Sequence, residues 1–282
     1  MNSLLSQLRP IWRRTSYVFS RFRIDRCSEN AAALTYMSLF ALVPLLTVIY
    51  TMASAVPAFQ GLEVNIQSFL FENLMPDTNS EIQNYLGDFS QQAKNLTGFG
   101  IAFLVITAVL MLRNVERAFN QIWRTRKNRS TVSSFLLYWA VLGLTPLTIG
   151  LALAISTYVS SIAHNLNGLD VFGARALILK AAPLILSTAG FTLIYVAVPN
   201  CRVPFKHAVV GGLAAAIAFN IARSLFTTLV VGSSYTFIYG AFAAVPLFLL
   251  WIFLSWNIVL MGGVLVHSFS AYQSLEEASR PT

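Results

Sequence analysis

One arginine within a long apolar stretch is the first candidate for chemistry. Arg223 lies near the middle of this stretch, beside Asn220, Ser224 and Thr227. Arginine at the centre of a membrane span costs about 2.5–3.5 kcal/mol on insertion scales, so its side chain should face protein, water or an anionic ligand. Both a functional cavity and a structural pairing of Arg223 stay open.

The same stretch carries small or polar residues at every fourth position. Small residues at this spacing let helices approach closely, and the polar members can hydrogen-bond across the contact. Helix packing explains the stripe as well as a cavity does. Its members are Gly212, Ala216, Asn220, Ser224 and Thr228.

A second polar set has helical spacing further towards the N-terminus. Arg113, Glu116 and Arg117 can meet across successive turns, with Asn120 stacked below Glu116. This arrangement has the form of a polar latch at the cytoplasmic end of a span. An interfacial salt bridge is the alternative interpretation.

Isolated polar residues and prolines complete the candidates. Asn257 lies among apolar residues and can line a cavity or hydrogen-bond a neighbouring helix. Prolines remove a helical hydrogen bond that neighbours can replace, so those within apolar runs are candidate kinks. These are Pro44, Pro146 and Pro246.

Motifs for catalysis are missing from the chain. It has no Gly-rich phosphate loop, no His-Glu-x-x-His and no Gly-x-Ser-x-Gly. His164, His207 and His267 fall in separate segments, and Cys27 and Cys201 lie far apart. We therefore expect no catalytic residues, no metal site and no cofactor, and unpaired cysteines.

The composition excludes an ordinary soluble domain. Of 282 residues, 56% are hydrophobic and 11% are charged, whereas soluble domains carry roughly 25% charged residues. The net charge of +8 does not indicate nucleic-acid binding, because the basic residues flank apolar runs instead of clustering on one soluble face.

The apolar runs predict an all-α, polytopic membrane protein. A bilayer core about 30 Å thick needs about 20 apolar helical residues, and six runs meet that length. They form a six-helix transmembrane domain over 31–270, with spans at about 31–56, 96–119, 135–160, 177–198, 208–231 and 239–267.

Basic residues predict the orientation of these spans. Lys and Arg are retained on the cytoplasmic side, and 15 of the 19 fall in the N-terminal segment 1–30, the loops of one side and the tail 271–282. We therefore expect a bacterial inner-membrane protein with both termini in the cytoplasm.

Two segments are expected outside the bilayer. Pro10–Asp25 alternates arginines with Ile11, Trp12, Val18, Phe19 and Phe22, which suits a helix on an anionic leaflet; a simple topology anchor is the alternative. The acidic insertion 57–95 predicts a periplasmic helical hairpin between spans one and two. It is either a gate over the bundle or a structural element.

Several short motifs lie along the chain at Ala31–Tyr36, Pro44, Arg117–Trp123, Val203–Ala208, Gly211, Gly212, Tyr239, Gly240, Pro246, Trp251, Leu254–Trp256 and Gly262. Through these motifs the chain resembles the BrkB/YihY family of inner-membrane proteins over roughly 30–270. The resemblance implies six spans and an unsettled function, for which a ribonuclease BN label, a virulence role and lipid-related transport have been used. Family carboxylates in spans five and six are replaced here by Asn220 and Val264.

Three functions follow, in order of preference. The first is a transport-like or lipid- or anion-handling membrane protein, with a cavity near span five and Arg223. The second is a non-catalytic scaffold or envelope-assembly factor, and the third, disfavoured, is a ribonuclease. The expected partners are membrane lipids and an anionic solute or lipid, without nucleic acid; the sequence leaves the oligomeric state open.

Overall fold

The computed structural model describes residues 16–55, 98–125, 174–231 and 244–278, and this part of the chain is helical, with turns and short connections and no strand. A short helix, α1, occupies 16–24. The five longer helices are α2 (Cys27–Ala55), α3 (Gly98–Trp123), α4 (Ala174–Ala197), α5 (Phe205–Val231) and α6 (Ala244–Ala278).

Five of the six predicted spans coincide with these longer helices. Among the described residues, two helices are long and apolar enough to cross a membrane, over Phe205–Leu229 and Val245–Ala271, and Pro183–Ala197 is a shorter apolar helix. The predicted span at 135–160 and the hairpin at 57–95 lie outside the described residues. The six-span count therefore stays a prediction.

Some helices extend beyond the predicted spans, because polar residues at their ends continue the helix. α2 begins at Cys27, with Glu29 in its first turn, where a carboxylate interacts favourably with the helix dipole. α6 runs to Ala278, beyond the domain end predicted at 270, because Gln, Leu, Glu and Ala in its last turns are strong helix formers.

Two arginines end helices in the left-handed conformation. Arg124, with φ of 52°, follows α3, and the Thr125 N–H donates to the Asn120 carbonyl at 3.0 Å. This bond pattern satisfies carbonyls at the end of a helix. Arg26, with φ of 49°, makes the sharp turn that joins α1 to α2.

Small residues bring α4, α5 and α6 together. A Cβ on Gly212 of α5 would lie 2.9 Å from the Thr188 carbonyl oxygen of α4, and one on Gly211 would lie 3.3 Å from the Gly262 carbonyl oxygen of α6. Neither position has room for a side chain. α5 therefore packs against α4 through one glycine and against α6 through the next.

Hydrogen bonds tie α6 to α4 and to α2. The buried Tyr195 hydroxyl of α4 donates to the Val259 carbonyl at 3.0 Å. The Trp256 indole N–H donates to the Ser38 hydroxyl of α2 at 2.9 Å. α6 thus lies between α2, α4 and α5, and its face towards them carries much of the core.

Candidate functional site

An open groove lies where α1 meets α5 and α6. Its volume is about 410 Å³, within the range of about 300–1,000 Å³ common for ligand pockets. α1 supplies Val18 and Phe22. The other lining residues belong to α5 and α6, and we call this feature the α5–α6 groove: Ala214, Ala215, Ala218, Asn257, Ile258, Met261, Gly262 and Leu265.

Short side chains on two helices create the groove. Ala214 and Ala218 lie one turn apart on one face of α5, and both line the space. On α6, a Cβ on Gly262 would lie 2.8 Å from Tyr195 Cζ and 3.1 Å from Ala215 Cβ. Larger residues at the two alanines would fill the groove.

α1 forms one wall through a single face. Val18 and Phe22 are four residues apart and belong to the core packing, whereas Phe19 is 63% exposed. The sequence predicted a helix on an anionic leaflet, with these three residues among its apolar ones. Val18 and Phe22 instead pack against the protein, because a helix places residues i and i+4 on one side.

A buried ion pair lies at the end of α1, and its arginine contacts α3. The Arg21 guanidinium lies 3.0 Å from the Asp25 carboxylate, and it also donates to the Ile122 carbonyl of α3 at a long 3.5 Å. Both residues are 5% exposed. Burial raises the pKa of Asp25 above its ordinary value, although the positive charges of Arg21 and Arg124 oppose that shift.

This ion pair is incompletely satisfied. Within the described residues, Arg21 Nε and Asp25 Oδ2 are buried without a hydrogen bond, so the close approach of the two charges is not matched by aligned geometry. An unpaired polar atom in a buried site costs about 1–3 kcal/mol. The attachment of α1 is therefore specific but not strongly stabilising.

The predicted latch residues point in different directions. Arg113 and Arg117 are exposed and Glu116 is buried. Asn120 does not serve only its own helix: its side-chain oxygen accepts the Asn200 N–H at 2.8 Å. The asparagine thus links the end of α3 to the connection between α4 and α5.

The small and polar stripe of α5 is divided between two environments. Gly212 and Ala216 are buried, and Asn220, Ser224 and Thr228 are exposed. The exposed members bond to their own helix: Asn220 donates to the Ala216 carbonyl at 2.9 Å and Thr228 to the Ser224 carbonyl at 2.9 Å. Each of these bonds runs from a side chain to the carbonyl four residues earlier, a local pattern open to polar side chains within a helix.

Arg223 does not line the α5–α6 groove. It and Thr227 are partly buried. Arg223 follows Ala214 by nine residues, which turns its side chain to about the opposite side of the helix at 3.6 residues per turn. Of the predicted cavity residues, the groove contains only Asn257.

Asn257 is the single polar side chain in the groove lining. Its amide nitrogen donates to the Phe253 carbonyl of its own helix at 2.7 Å. That bond satisfies part of the amide without a second helix. The groove surface is consequently almost entirely hydrocarbon.

The three predicted kink positions have different places in the structure. α2 continues as helix through Pro44, Pro146 lies outside the described residues, and Pro246 lies in the first turn of α6. Proline in a first turn removes no helical hydrogen bond. Pro183, inside α4, is a proline that the sequence reading passed over.

Polar residues lie on α5 and α6 beyond one end of the groove. His207 Nδ1 is 3.1 Å from the Ser270 hydroxyl, and the imidazole packs on Phe269 with ring centroids 6.2 Å apart. His207 precedes Ala214 by two turns, and Phe269 follows Leu265 by one. The exposed Lys206 and Arg202 are close to this end in sequence.

Cysteines and metal ligands give no reactive centre in the described ranges. Cys27 and Cys201 are free thiols, and burial raises the pKa of Cys27 to about 12, so that thiol stays protonated. The described helices and connections hold no group of three or more His, Cys, Asp or Glu placed to bind a metal ion.

Sequence reasoning missed the groove although part of its signal is visible. Val18 and Phe22 have the spacing of one helix face, as do Ala214 and Ala218. What the sequence does not reveal is that these two faces meet, because α1 and α5 are separated by about 180 positions in the chain.

Helices of membrane-spanning length place the chain among α-helical membrane proteins, here with an open apolar groove. The chain belongs to the family described as "Virulence factor BrkB", whose model matches residues 18–281. No solved structure matches it significantly.

Bacterial relatives carry the same membrane assignment. The chain is 51% identical over 92% of its length to a "UPF0761 membrane protein" of Azotobacter vinelandii, covering 63% of that protein. A "UPF0761 membrane protein" of Teredinibacter turnerae is 47% identical over 93% of the chain, and the match covers 61% of that protein. The chain thus spans about three fifths of the length of these curated relatives.

Proposed function

We propose that this membrane protein handles lipid, binding an acyl chain in the α5–α6 groove and catalysing no reaction. The supporting observation is the lining itself: nine of its ten residues are apolar or glycine. A small free anion would find no donor there except an asparagine amide that already bonds to the Phe253 carbonyl. A hydrocarbon chain needs none.

Direct measurement of bound lipid tests this proposal. The wild-type protein, purified in mild detergent, should retain lipid that native mass spectrometry detects. Ala218→Trp should reduce the retained lipid because indole fills the groove. Leu213→Trp is the matched control, since Leu213 is 42% exposed and lies on α5 away from the groove. Equal retention in both variants would overturn the proposal.

A second candidate function is the handling of a small anion near Arg223. It is favoured by this partly buried arginine, for which no ion pair lies within the described helices. Arg223→Leu should then abolish anion binding by the purified protein and leave groove lipid unchanged. Unchanged anion binding would remove this candidate.

We also propose six spans in the bacterial inner membrane with both termini in the cytoplasm. The support is the strong asymmetry of basic residues. Cysteine introduced at Lys94 should react with an impermeant maleimide from the periplasm, and cysteine at Lys206 should react only after the membrane is opened. The reverse pattern would invert the topology.

A further inference from the structure

We propose that the α5–α6 groove selects an anionic phospholipid, whose phosphate binds at His207 and Lys206. This inference rests on the proposed lipid function and adds the class of head group. It starts from an energetic point. Lipid tails are as apolar as the groove, so moving an acyl chain from the bilayer into it yields no hydrophobic gain. Selectivity must come from the polar end.

Helical register puts a polar end in the right place. His207 and Ala214 are seven residues apart on α5, which is two turns and about 10 Å along the axis. Leu265 and Phe269 are one turn apart on α6, about 6 Å. The head-group region of one leaflet is roughly 5–8 Å thick. A tail beside Ala214 and Leu265 therefore brings its phosphate level with His207.

The hydrogen bonds of His207 leave one ring nitrogen for a ligand. The Ser270 hydroxyl lies 3.1 Å from His207 Nδ1 and 3.2 Å from the Val266 carbonyl oxygen. We assign His207 the tautomer with its hydrogen on Nε2, in which Nδ1 accepts the Ser270 hydroxyl hydrogen. Nε2 then donates to a phosphate oxygen.

Charge at this end of the groove complements a head group with a net negative charge, because cations attract the phosphate and repel the ammonium group of a zwitterionic lipid. Lys206 is an exposed cation next to His207, and Arg202 is exposed before the start of α5. The first N–H groups of a helix and its dipole add further positive potential. In the sequence 202–208 these positive groups have no acidic residue among them.

Competition between two lipids tests the head-group assignment. Wild-type protein in nanodiscs with equal phosphatidylglycerol and phosphatidylethanolamine should retain mainly phosphatidylglycerol in native mass spectrometry. Lys206→Ala should lower that preference by roughly fivefold, the effect of about 1 kcal/mol for one cation at a membrane surface. His207→Asn keeps an acceptor for the Ser270 hydroxyl hydrogen but removes the Nε2 donor, and it should lower the preference further.

A matched control and the Ala218→Trp variant separate the outcomes. Arg117→Ala removes an exposed cation of α3 and should leave the lipid preference unchanged. Two results would overturn this inference alone, provided that Ala218→Trp displaces the lipid. One is a lack of head-group preference in the wild-type protein, and the other is an unchanged preference in Lys206→Ala. Lipid that Ala218→Trp does not displace overturns the groove itself, and with it both proposals.

Discussion

The two halves of α5 pack by opposite means. From Phe205 to Ala218 the helix meets its neighbours through glycine and alanine, with Gly211, Gly212, Ala215 and Ala216 buried. From Phe219 onward it is anchored by rings: the ring centroids of Phe219 and Phe226 lie 5.3 and 5.1 Å from that of Trp251. Its Leu225 and Leu229 are 58% and 70% exposed.

This difference shows where α5 tolerates change. The first half depends on the absence of side-chain atoms, so additions disturb it. The second half depends on large aromatic rings, so deletions disturb it. The groove belongs to the first half, where small residues both bring helices together and leave space beside them. Arg223 belongs to the second half and does not line the groove.

Trp251→Ala should have the largest effect on stability. Trp251 is 2% exposed and packs with Ala222 and Phe226. We expect a loss of about 3 kcal/mol, the lower end of the range for a buried tryptophan, because lipid tails can partly replace the lost contacts. Equilibrium unfolding in mixed micelles measures it. Leu250→Ala, at a 53% exposed neighbour, should stay within about 0.5 kcal/mol.

Gly212→Ala should destabilise the packing of the first half of α5 by adding a Cβ atom. The new Cβ would lie 2.9 Å from the Thr188 carbonyl oxygen and 3.0 Å from the Thr192 nitrogen, and backbone atoms cannot swing away. Overpacking of this kind should lower the free energy of unfolding by about 1–3 kcal/mol, measured by equilibrium unfolding in mixed micelles.

Gly190→Ala is the matched control for this substitution. Gly190 is a helical glycine of α4 whose added Cβ would meet nothing within 4 Å. It should gain about 0.5–1 kcal/mol from the lower backbone entropy of alanine. Equal effects at Gly190 and Gly212 would mean that the close approach of α4 and α5 does not govern stability.

Tyr195→Phe tests one hydrogen bond between α4 and α6. The hydroxyl donates to the Val259 carbonyl at 3.0 Å, and its removal leaves the ring packing in place. A loss of about 0.5–1.5 kcal/mol is expected. Tyr36→Phe, at a 63% exposed ring, should leave the free energy of unfolding unchanged; a similar loss there would point to a general effect of hydroxyl removal.

The apolar runs predicted helices well because length and apolarity are local properties. α5 begins three residues before its predicted span at 208 and ends at the same residue. The site was harder to predict. Asn120 contacts Asn200, 80 residues away, and no local pattern indicates that pairing. The charge of Arg223 drew the cavity prediction to one side of α5, whereas the groove lies beside uncharged alanines on another.

The smallest predicted effect is a pH dependence at the end of the bundle where α1 meets the first half of α5. Burial raises the pKa of Asp25 above its ordinary value of 3.8, against the opposing charges of Arg21 and Arg124. The folded protein therefore binds this proton more tightly than the unfolded chain does. Its contribution to stability must fall as the pH rises from 3.8 to the raised value, and stay constant above it.

Unfolding measured from pH 3.5 to neutrality, in Asp25→Asn and wild type, isolates this contribution. Asp25→Asn lacks the titrating group, so its free energy of unfolding should fall less between pH 3.8 and the raised pKa. Leaving Arg21 without its carboxylate costs the same at every pH and does not change this slope. Glu29→Gln is the control because Glu29 is exposed beside Arg26; it should keep the wild-type slope. A wild-type slope in Asp25→Asn would mean that burial does not raise the pKa of Asp25.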